Sequence, residues 1–235
     1  RAPLEPVEIN GQDAPVQKIV LREEEADLTS LPVHLQHGED GAPYISATLD
    51  FSFDPETQRT NVGMRRLMLR GRHQAGIDLN APSDLRMIYG GSQKNGNLLP
   101  IAFAIGFHPA DAIAALSMTP PTDELALIGA IRGEPLPVVK CITSDIRVPA
   151  DAEYIIEGYL DADGWNEPEG PYGEYVGYYG RLKQNPVFHL TAITHREDAV
   201  FQTATIGGRN MATTDTAQLC ALRTEQAIWA ALENA

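Results

Sequence analysis

The feature that most limits what this chain can fold into is the crowding of strand-like segments with little sequence between them. "GEDGAPYISATLDFSF" gives a turn at 38–43 and then a strand, and "TNVGMRRLMLRGR" follows closely as a second strand. In the first, Tyr44, Ser46, Thr48 and Asp50 fall on one side, and Ile45, Ala47, Leu49 and Phe51 on the other, the period-two alternation of an extended chain. "LLPIAFAIGF" is a nearly continuous apolar run, short enough for a buried strand. "PLPVVKCIT", "AEYIIEGYL", "NPVFHLTAITHR" and "AVFQTATIGG" are further strand candidates. Strands this close in sequence pair most readily as antiparallel neighbours.

Helical spacing is confined to a central block and the end of the chain. "APSDLRMIYGGSQKNG" predicts a helix started near 82–84 and stopped at Gly90–Gly91, which leaves "GGSQKNG" as a loop. "HPADAIAALSM" and "TDELALIGAIRG" predict two more, the second with Thr122 as N-cap and Gly133 as its stop. The last, "TDTAQLCALRTEQAIWAALENA", has Asp215 as cap and Gln218 three residues on, in the manner of a capping box, with Leu219, Leu222, Trp229 and Leu232 on one buried face. No regular βαβ alternation is visible. The expected class is α+β: a mostly antiparallel or mixed sheet closed as a barrel, with helices inserted around residues 82–132 and one appended at the C-terminus.

Size and charge narrow the function. With 235 residues, 43% of them hydrophobic, the chain can bury a substantial core. A formal charge of −14 without clustered Lys and Arg argues against a nucleic-acid partner. No run reaches the roughly 18 apolar residues of a membrane-spanning helix, and no membrane partner is expected. Cys141 and Cys220 do not make a disulfide scaffold, which favours a reducing cytoplasm. The opening "RAPLEPVEING" and the abrupt helical end lead to the expectation of a piece of a longer protein.

The residues that attract chemical interest are in "EPEGPYGEY", Glu167 to Tyr175, where Glu169 and Glu174 stand among prolines and glycines that restrict the backbone. The second strand adds an oddity, an arginine on each of its apolar-looking faces, Arg65 and Arg66. A guanidinium can grip a carboxylate through two hydrogen bonds. Flanked by two glutamates it could orient one while the other exchanges a proton. A desolvated pair would titrate together with one member elevated, as acid–base work near neutral pH requires. A solvated acidic turn and a surface arginine account for the same spacing. P-loop, G-x-G-x-x-G, H-E-x-x-H and paired-cysteine zinc signatures are absent. His189 alternates with Phe188 and Leu190 as a structural strand residue, and Ser117 has no acid–base partner near it in sequence.

"NVGMRR", "VVKCITSDIRVPADAEYIIEGYL", "PEGPYGEYVGYYG" and "FHLTAITHREDAVFQTATIGGR" together resemble the UbiD family of reversible decarboxylases. The resemblance runs from about Ala14 to the C-terminal helix. It implies a split β-barrel-like domain that binds prenylated FMN, spanning residues 1–235 of a longer chain whose C-terminal oligomerisation domain is absent from this sequence. It implies a catalytic set of Arg66, Glu169 and Glu174, with Glu174 as proton donor and Glu169 paired with the arginine. It also implies a divalent metal, Mn²⁺ or Mg²⁺, that bridges protein and flavin phosphate through Asn61, Asp84 and Glu124, and a K⁺ ion nearby. Relatives carry His where Asp84 stands here, and an Asn–Asp–Glu oxygen set suits such hard cations. Ser117 and Met118 match a turn near the phosphate and K⁺, Met64 would lie against the flavin, and Arg66 would also face it.

The implied reaction is loss of CO₂ from an unsaturated or aromatic acid bonded covalently to the cofactor, which serves as the electron sink side chains lack. "GMRRLMLRGR" and "EGPYGEYVGYYG" are most similar to relatives acting on small heteroaromatic acids. A hydroxybenzoate or an acrylic acid is the alternative substrate, and an isolated flavin-binding domain without turnover is the alternative of another class. The partners implied are a carboxylic acid and CO₂, a flavin prenyltransferase as cofactor supplier, and further copies of the full-length chain.

Overall fold

The structure is a computed structural model and describes residues 2–117 and 122–233. In chain order its first strands are β1 (Val7–Glu8), β2 (Ile19–Arg22), β3 (Tyr44–Asp54), β4 (Arg59–Leu69), β5 (Gln74–Ile77), β6 (Leu99–Ile105) and β7 (Pro137–Lys140). They are followed by β8 (Arg147–Pro149), β9 (Tyr154–Leu160), β10 (Glu167–Glu169), β11 (Tyr172–Gly173), β12 (Tyr179–Gly180), β13 (Lys183–Asn185) and β14 (Val187–His195). The helices are α1 (Asp84–Lys94), α2 (Pro109–Ala115), α3 (Glu124–Arg132) and α4 (Asp215–Glu233).

The two strands at the centre of the sequence pattern, β3 and β4, form a long antiparallel hairpin. Antiparallel pairing continues on both sides in the order β14-β5-β4-β3-β6-β9, and β9 pairs back onto β14, so these six strands close a barrel. Strand β14 makes this possible by pairing along its length with β9 while its other edge is shared, Val187–His189 with β5 and Ala192–His195 with β2. Closure removes the free edges that an open sheet would have to protect. A small sheet, β1-β7-β8, packs outside. The mixed α+β barrel with inserted helices and a C-terminal helix is the expected class.

A register shift between Ile45 and Thr48 turns β3 partway along. Ile45 joins one apolar core with Leu67, Ile77, Phe103, Phe188 and the α1 residues Leu85 and Tyr89, whereas Leu49 and Phe51 join a second core with Leu125 and Ile128 of α3 and Val138 and Val148 of the small sheet. The polar residues Thr48, Asp50 and Ser52 are buried as well. The hairpin is therefore covered on both faces, unlike the half-buried strand that alternation alone suggests.

Several local expectations are corrected. Helix α1 does not stop at Gly90–Gly91: capped by Ser83, which accepts from Arg86 N at 3.3 Å, it runs to Lys94 and ends at Asn95 and Gly96. The buried Leu85, Ile88 and Tyr89 hold it to the barrel, and such packing overrides the roughly 1 kcal/mol cost of a helical glycine. "GGSQKNG" is accordingly mostly helical rather than a loop. The N-cap of α3 is Asp123, whose Oδ1 accepts from Leu125 N at 3.0 Å, and not Thr122; Gly133 stops it in the left-handed conformation as expected. "AVFQTATIGG" forms no strand; it lies along the first half of β3, where Ser46 Oγ bonds Ala204 N and O, each at 3.0 Å. At α4, Thr214 Oγ1 accepts from Ala217 N at 3.3 Å, while Asp215 accepts from Thr205 N and Gln218 turns to Ala212 O, so no capping box forms. Leu222, Trp229 and Leu232 of α4 are exposed and Leu219 is half-buried, contrary to a buried face.

Candidate active site

Strand β4 carries Arg66 into a nest of carboxylates. Its Nε donates to Glu169 Oε1 at 3.1 Å, its Nη1 to Glu174 Oε1 at 2.9 Å, and its Nη2 to Asp78 Oδ2 at 3.1 Å, with Glu169 Oε2 at 3.5 Å. The guanidinium also lies 4.4 Å from the ring centre of Tyr172 and 5.8 Å from that of Tyr44, a distance at which an aromatic face attracts a cation. Burial works against its charge, but Glu169 and Glu174 outweigh it and hold the group protonated above the ordinary arginine value.

Glu169 is 1% exposed, the last residue of β10, and pairs in register with Lys183 of β13. Asn185 Nδ2 reaches both Glu169 Oε2 at 3.4 Å and Asp78 Oδ1 at 3.5 Å. Lys183 Nζ donates to Asp78 Oδ2 at 2.6 Å. Burial raises the cost of the Asp78 carboxylate, but the bonds from Lys183 and Asn80 N and the charge of Arg66 hold it below its usual value. Burial, and then the Glu169 carboxylate, push the Tyr44 phenol up; burial likewise raises Tyr172. Among the described residues this cluster sets two cations against three carboxyl groups.

The connection from Glu169 to Glu174 is fixed from outside by residues 36–41. Asp40 Oδ1 accepts from Gly173 N at 2.8 Å and its Oδ2 from His37 N at 2.9 Å; Gly41 N donates to Pro171 O at 2.8 Å; Tyr172 OH donates to Gln36 Oε1 at 2.6 Å. Gly170 has φ +103°, a conformation that L side chains rarely adopt. Gly173 lies flat against the His37 ring, where a Cβ would collide with it. Glu174 begins a turn in which its N–H donates to Tyr178 O at 2.9 Å. Its side chain remains 26% exposed, the most accessible of the three carboxyls around Arg66.

A second group gathers at the other end of β4. Asn61, Asp84 at the start of α1 and Glu124 at the start of α3 line one cavity of about 640 Å³. Asn61 Nδ2 faces Asp50 Oδ2 at 3.4 Å and Ser52 Oγ at 3.5 Å. Glu124 Oε2 accepts from Val62 N. Burial pushes the Glu124 carboxyl up to about 7 against that bond, and the charges of Asp84, Asp50 and Asp123 push the same way. Arg65 reaches across, its Nη2 donating to Ser83 Oγ at 3.2 Å and its Nε 3.4 Å from Asp50 Oδ1, and so ties the start of α1 to the strand. Among the described residues no cluster of three or more His, Cys, Asp or Glu is arranged to hold a metal. The candidate set is two carboxylates and an amide, oxygen donors of the kind that fit a hard cation.

The structure thus joins Arg66, Glu169 and Glu174 in one cluster, and Asn61, Asp84 and Glu124 around one cavity. Met64 packs against the second apolar core. Ser117 Oγ donates to Ile113 O at 2.7 Å, back onto its own helix, and Met118 lies outside the described residues. Sequence reasoning did not find Asp78, Lys183, Asn185, Asp40 or Asp50. They belong to segments without a distinctive motif, and only the fold brings them in.

The comparisons with known proteins agree on one family. The model of the UbiD family, described as 3-octaprenyl-4-hydroxybenzoate carboxy-lyase Rift-related domain, matches residues 7–210. An evolved dimeric form of the UbiD-class enzyme HmfF from Pelotomaculum thermopropionicum, solved with prFMN, is 39% identical with a TM-score of 0.82, over 86% of this chain and 47% of that one. The 3,4-dihydroxybenzoic acid decarboxylase AroY of Klebsiella pneumoniae, solved in its apo form, is 28% identical with a TM-score of 0.84, over 99% of this chain and 50% of its own. The vanillic acid decarboxylase of Sedimentibacter hydroxybenzoicus in its closed form is 29% identical with a TM-score of 0.81, over 88% of this chain and 44% of its own. The chain spans about half the length of these structures. No helix among the described residues is long and apolar enough to cross a membrane.

Proposed function

The chain belongs to the UbiD family of carboxy-lyases, and from that premise we propose that it is the prenylated-FMN-binding, catalytic part of a reversible, non-oxidative decarboxylase of aromatic or heteroaromatic acids. The observation that carries the reading is the Arg66 guanidinium held between Glu169 and Glu174 at 3.1 and 2.9 Å. Prenylated FMN, when bound, supplies the electron sink that no side chain offers. The chain's own residues supply orientation and a proton. Arg66 is available to steer a substrate carboxylate, because its charge is held in every accessible pH range. Glu169, buried and bonded to Nε, fixes the plane of the guanidinium. Glu174, the more accessible partner, delivers a proton to the carbon that loses CO₂ and takes one from it in the reverse direction. Holding both groups on a braced loop supplies the pre-oriented geometry that acid–base transfer needs.

The second cavity suits the phosphate end of the same cofactor. Asn61 and Arg66 are five residues apart on one strand, about 17 Å by strand rise. Asn61 directs its amide nitrogen inward to Asp50 and Ser52, so its oxygen is the atom free for a cation. With Asp84 and Glu124 it would hold Mn²⁺ or Mg²⁺, which in turn would neutralise the phosphate. Met64, Ser117 and Met118 complete the reading, with K⁺ near the last two.

A small heteroaromatic acid is the favoured substrate class, because "GMRRLMLRGR" and "EGPYGEYVGYYG" resemble relatives acting on such acids, whereas the decarboxylases of vanillic and 3,4-dihydroxybenzoic acid are only 28–29% identical. A cytoplasmic location is supported by the unpaired Cys141 and Cys220. The reading includes a longer, homo-oligomeric chain and a prenyltransferase that supplies the cofactor. The test is CO₂ release and solvent-deuterium exchange by full-length protein produced with a flavin prenyltransferase, assayed against furan, pyrrole, hydroxybenzoic and acrylic acids. Glu174→Gln is expected to lose both activities by at least a hundredfold, on the order of a general acid's contribution. Near-normal exchange in that variant would end the assignment. Flavin retention by residues 1–235 alone, with turnover only in the longer protein, would identify this part as a binding module.

A further inference from the structure

The acid–base cluster does not end at Arg66. Asp78 Oδ2 takes hydrogen bonds from Arg66 Nη2 at 3.1 Å and from Lys183 Nζ at 2.6 Å. Asn185, fully buried, bridges Asp78 and Glu169 through its Nδ2 and anchors the chain beyond Asp78 by accepting from Leu79 N at 3.0 Å and Asn80 Nδ2 at 2.8 Å. We propose that Asp78 and Lys183 are positioning residues of the acid–base site: Asp78 holds the edge of the guanidinium turned away from Glu174, and Lys183 cancels the charge of Asp78 so that Arg66 serves the two glutamates. The proposal rests on the acid–base role given above to Arg66, Glu169 and Glu174.

The geometry distinguishes this arrangement from a surface ion pair. The Asp78 side chain is 17% exposed and that of Lys183 24%. Asp78 and Glu169 share one nitrogen of Arg66, so a change of charge on Asp78 is felt directly by Glu169, and by Glu174 across the guanidinium. Without Lys183, three carboxylates would compete for one cation. With it, Arg66 and Lys183 leave one excess negative charge in the cluster, which a single proton can neutralise. The other ionisable groups facing the cluster among the described residues are Tyr44 of β3 and Tyr172 of β11, both held neutral by burial, Asp40 behind Gly173, beside His37, and Arg70, which lies beside Glu169 at Gly76 and is itself paired with Glu167 at 3.2 Å.

The pair is tested in full-length protein carrying ¹³C at the glutamate carboxyl carbons, with Glu169→Gln and Glu174→Gln used to assign the two signals. Asp78→Asn is expected to move the carboxyl titration of the cluster down, and Lys183→Met to move it up, each on the order of one pH unit for a unit charge one side chain away. The double variant should return close to the parent, and Lys183→Arg should stay there. Loss of packing alone has no reason to act with opposite signs or to cancel. Equal or same-direction shifts in the two single variants, or no shift in either, would overturn the proposal. In the cofactor-loaded enzyme the alkaline limb of the rate profile should follow the same shifts. If that enzyme releases no CO₂ from any acid, the decarboxylase reading falls, while the carboxyl titration still decides whether Asp78 and Lys183 tune the cluster.

Discussion

Glu124→Gln should make the metal-free protein more stable, by an amount that grows with pH. The carboxyl of Glu124 is pushed up to about 7 from 4.5, first by burial and then by Asp84, Asp50 and Asp123. Between those values the folded protein holds a proton that the unfolded chain has released. The neutral form's advantage is therefore fully present below about pH 4.5, shrinks as pH rises through 7, and is gone above it. The shift of about 2.5 units corresponds to about 3 kcal/mol, or roughly 6–12 °C in Tm for a chain of this length. Glutamine keeps an oxygen to accept from Val62 N and has no charge to desolvate. Thermal melts of parent and variant without metal, from pH 4.5 to 8.5, should converge at the acid end and separate toward the alkaline end. Mn²⁺ should close the gap by raising the parent alone, because a bound cation repays the buried charge. A pH-independent difference, or equal stabilisation of the variant by Mn²⁺, would refute both the electrostatic argument and the metal assignment.

Arg66→Met leaves the carboxyls of Glu169, Glu174 and Asp78 without their shared cation; a cost of about 3–5 kcal/mol is expected in denaturant unfolding at neutral pH, partly recovered in acid, together with complete loss of proton exchange. Asp40→Ala removes the acceptor of Gly173 N and His37 N and should cost about 1–3 kcal/mol. In the loaded full-length enzyme it should lower kcat by roughly ten- to a hundredfold at little-changed KM, because the loop that carries Glu174 is loosened while the substrate's contacts remain; Asp40→Asn, which keeps one acceptor, should recover part of this in the same steady-state assay.

What could be foreseen from the sequence follows the range of the interactions involved. The barrel strands announce themselves through alternation and close spacing, and Glu169 and Glu174 through neighbours that fix the backbone on the spot. Arg66 stood out because a charge interrupts an apolar face. Asp78 and Lys183, by contrast, are 105 residues apart, and nothing local marks either. The helix stop at Gly90–Gly91 failed because local propensity was outweighed by the burial of Leu85, Ile88 and Tyr89. "AVFQTATIGG" has strand composition, but composition does not say what the segment will bond to, and along β3 it meets the Ser46 side chain. For α4, periodicity defines an apolar stripe but does not say what covers it: Leu222, Trp229 and Leu232 are exposed.

One strand, β4, bears both Asn61 and Arg66. The side chains of β4 change sides at every residue, so Asn61, with Arg65, turns toward Asp50 while Arg66 turns the other way toward Glu169, and a single insertion or deletion between them would turn one of the two to the wrong wall of the barrel. The length of the stretch Val62–Arg65 therefore sets which wall each of the two side chains meets. Variation that retunes either surrounding must come through substitution, since a shift in spacing would take Asn61 from the cavity it lines with Asp84 and Glu124 or Arg66 from Glu169 and Glu174.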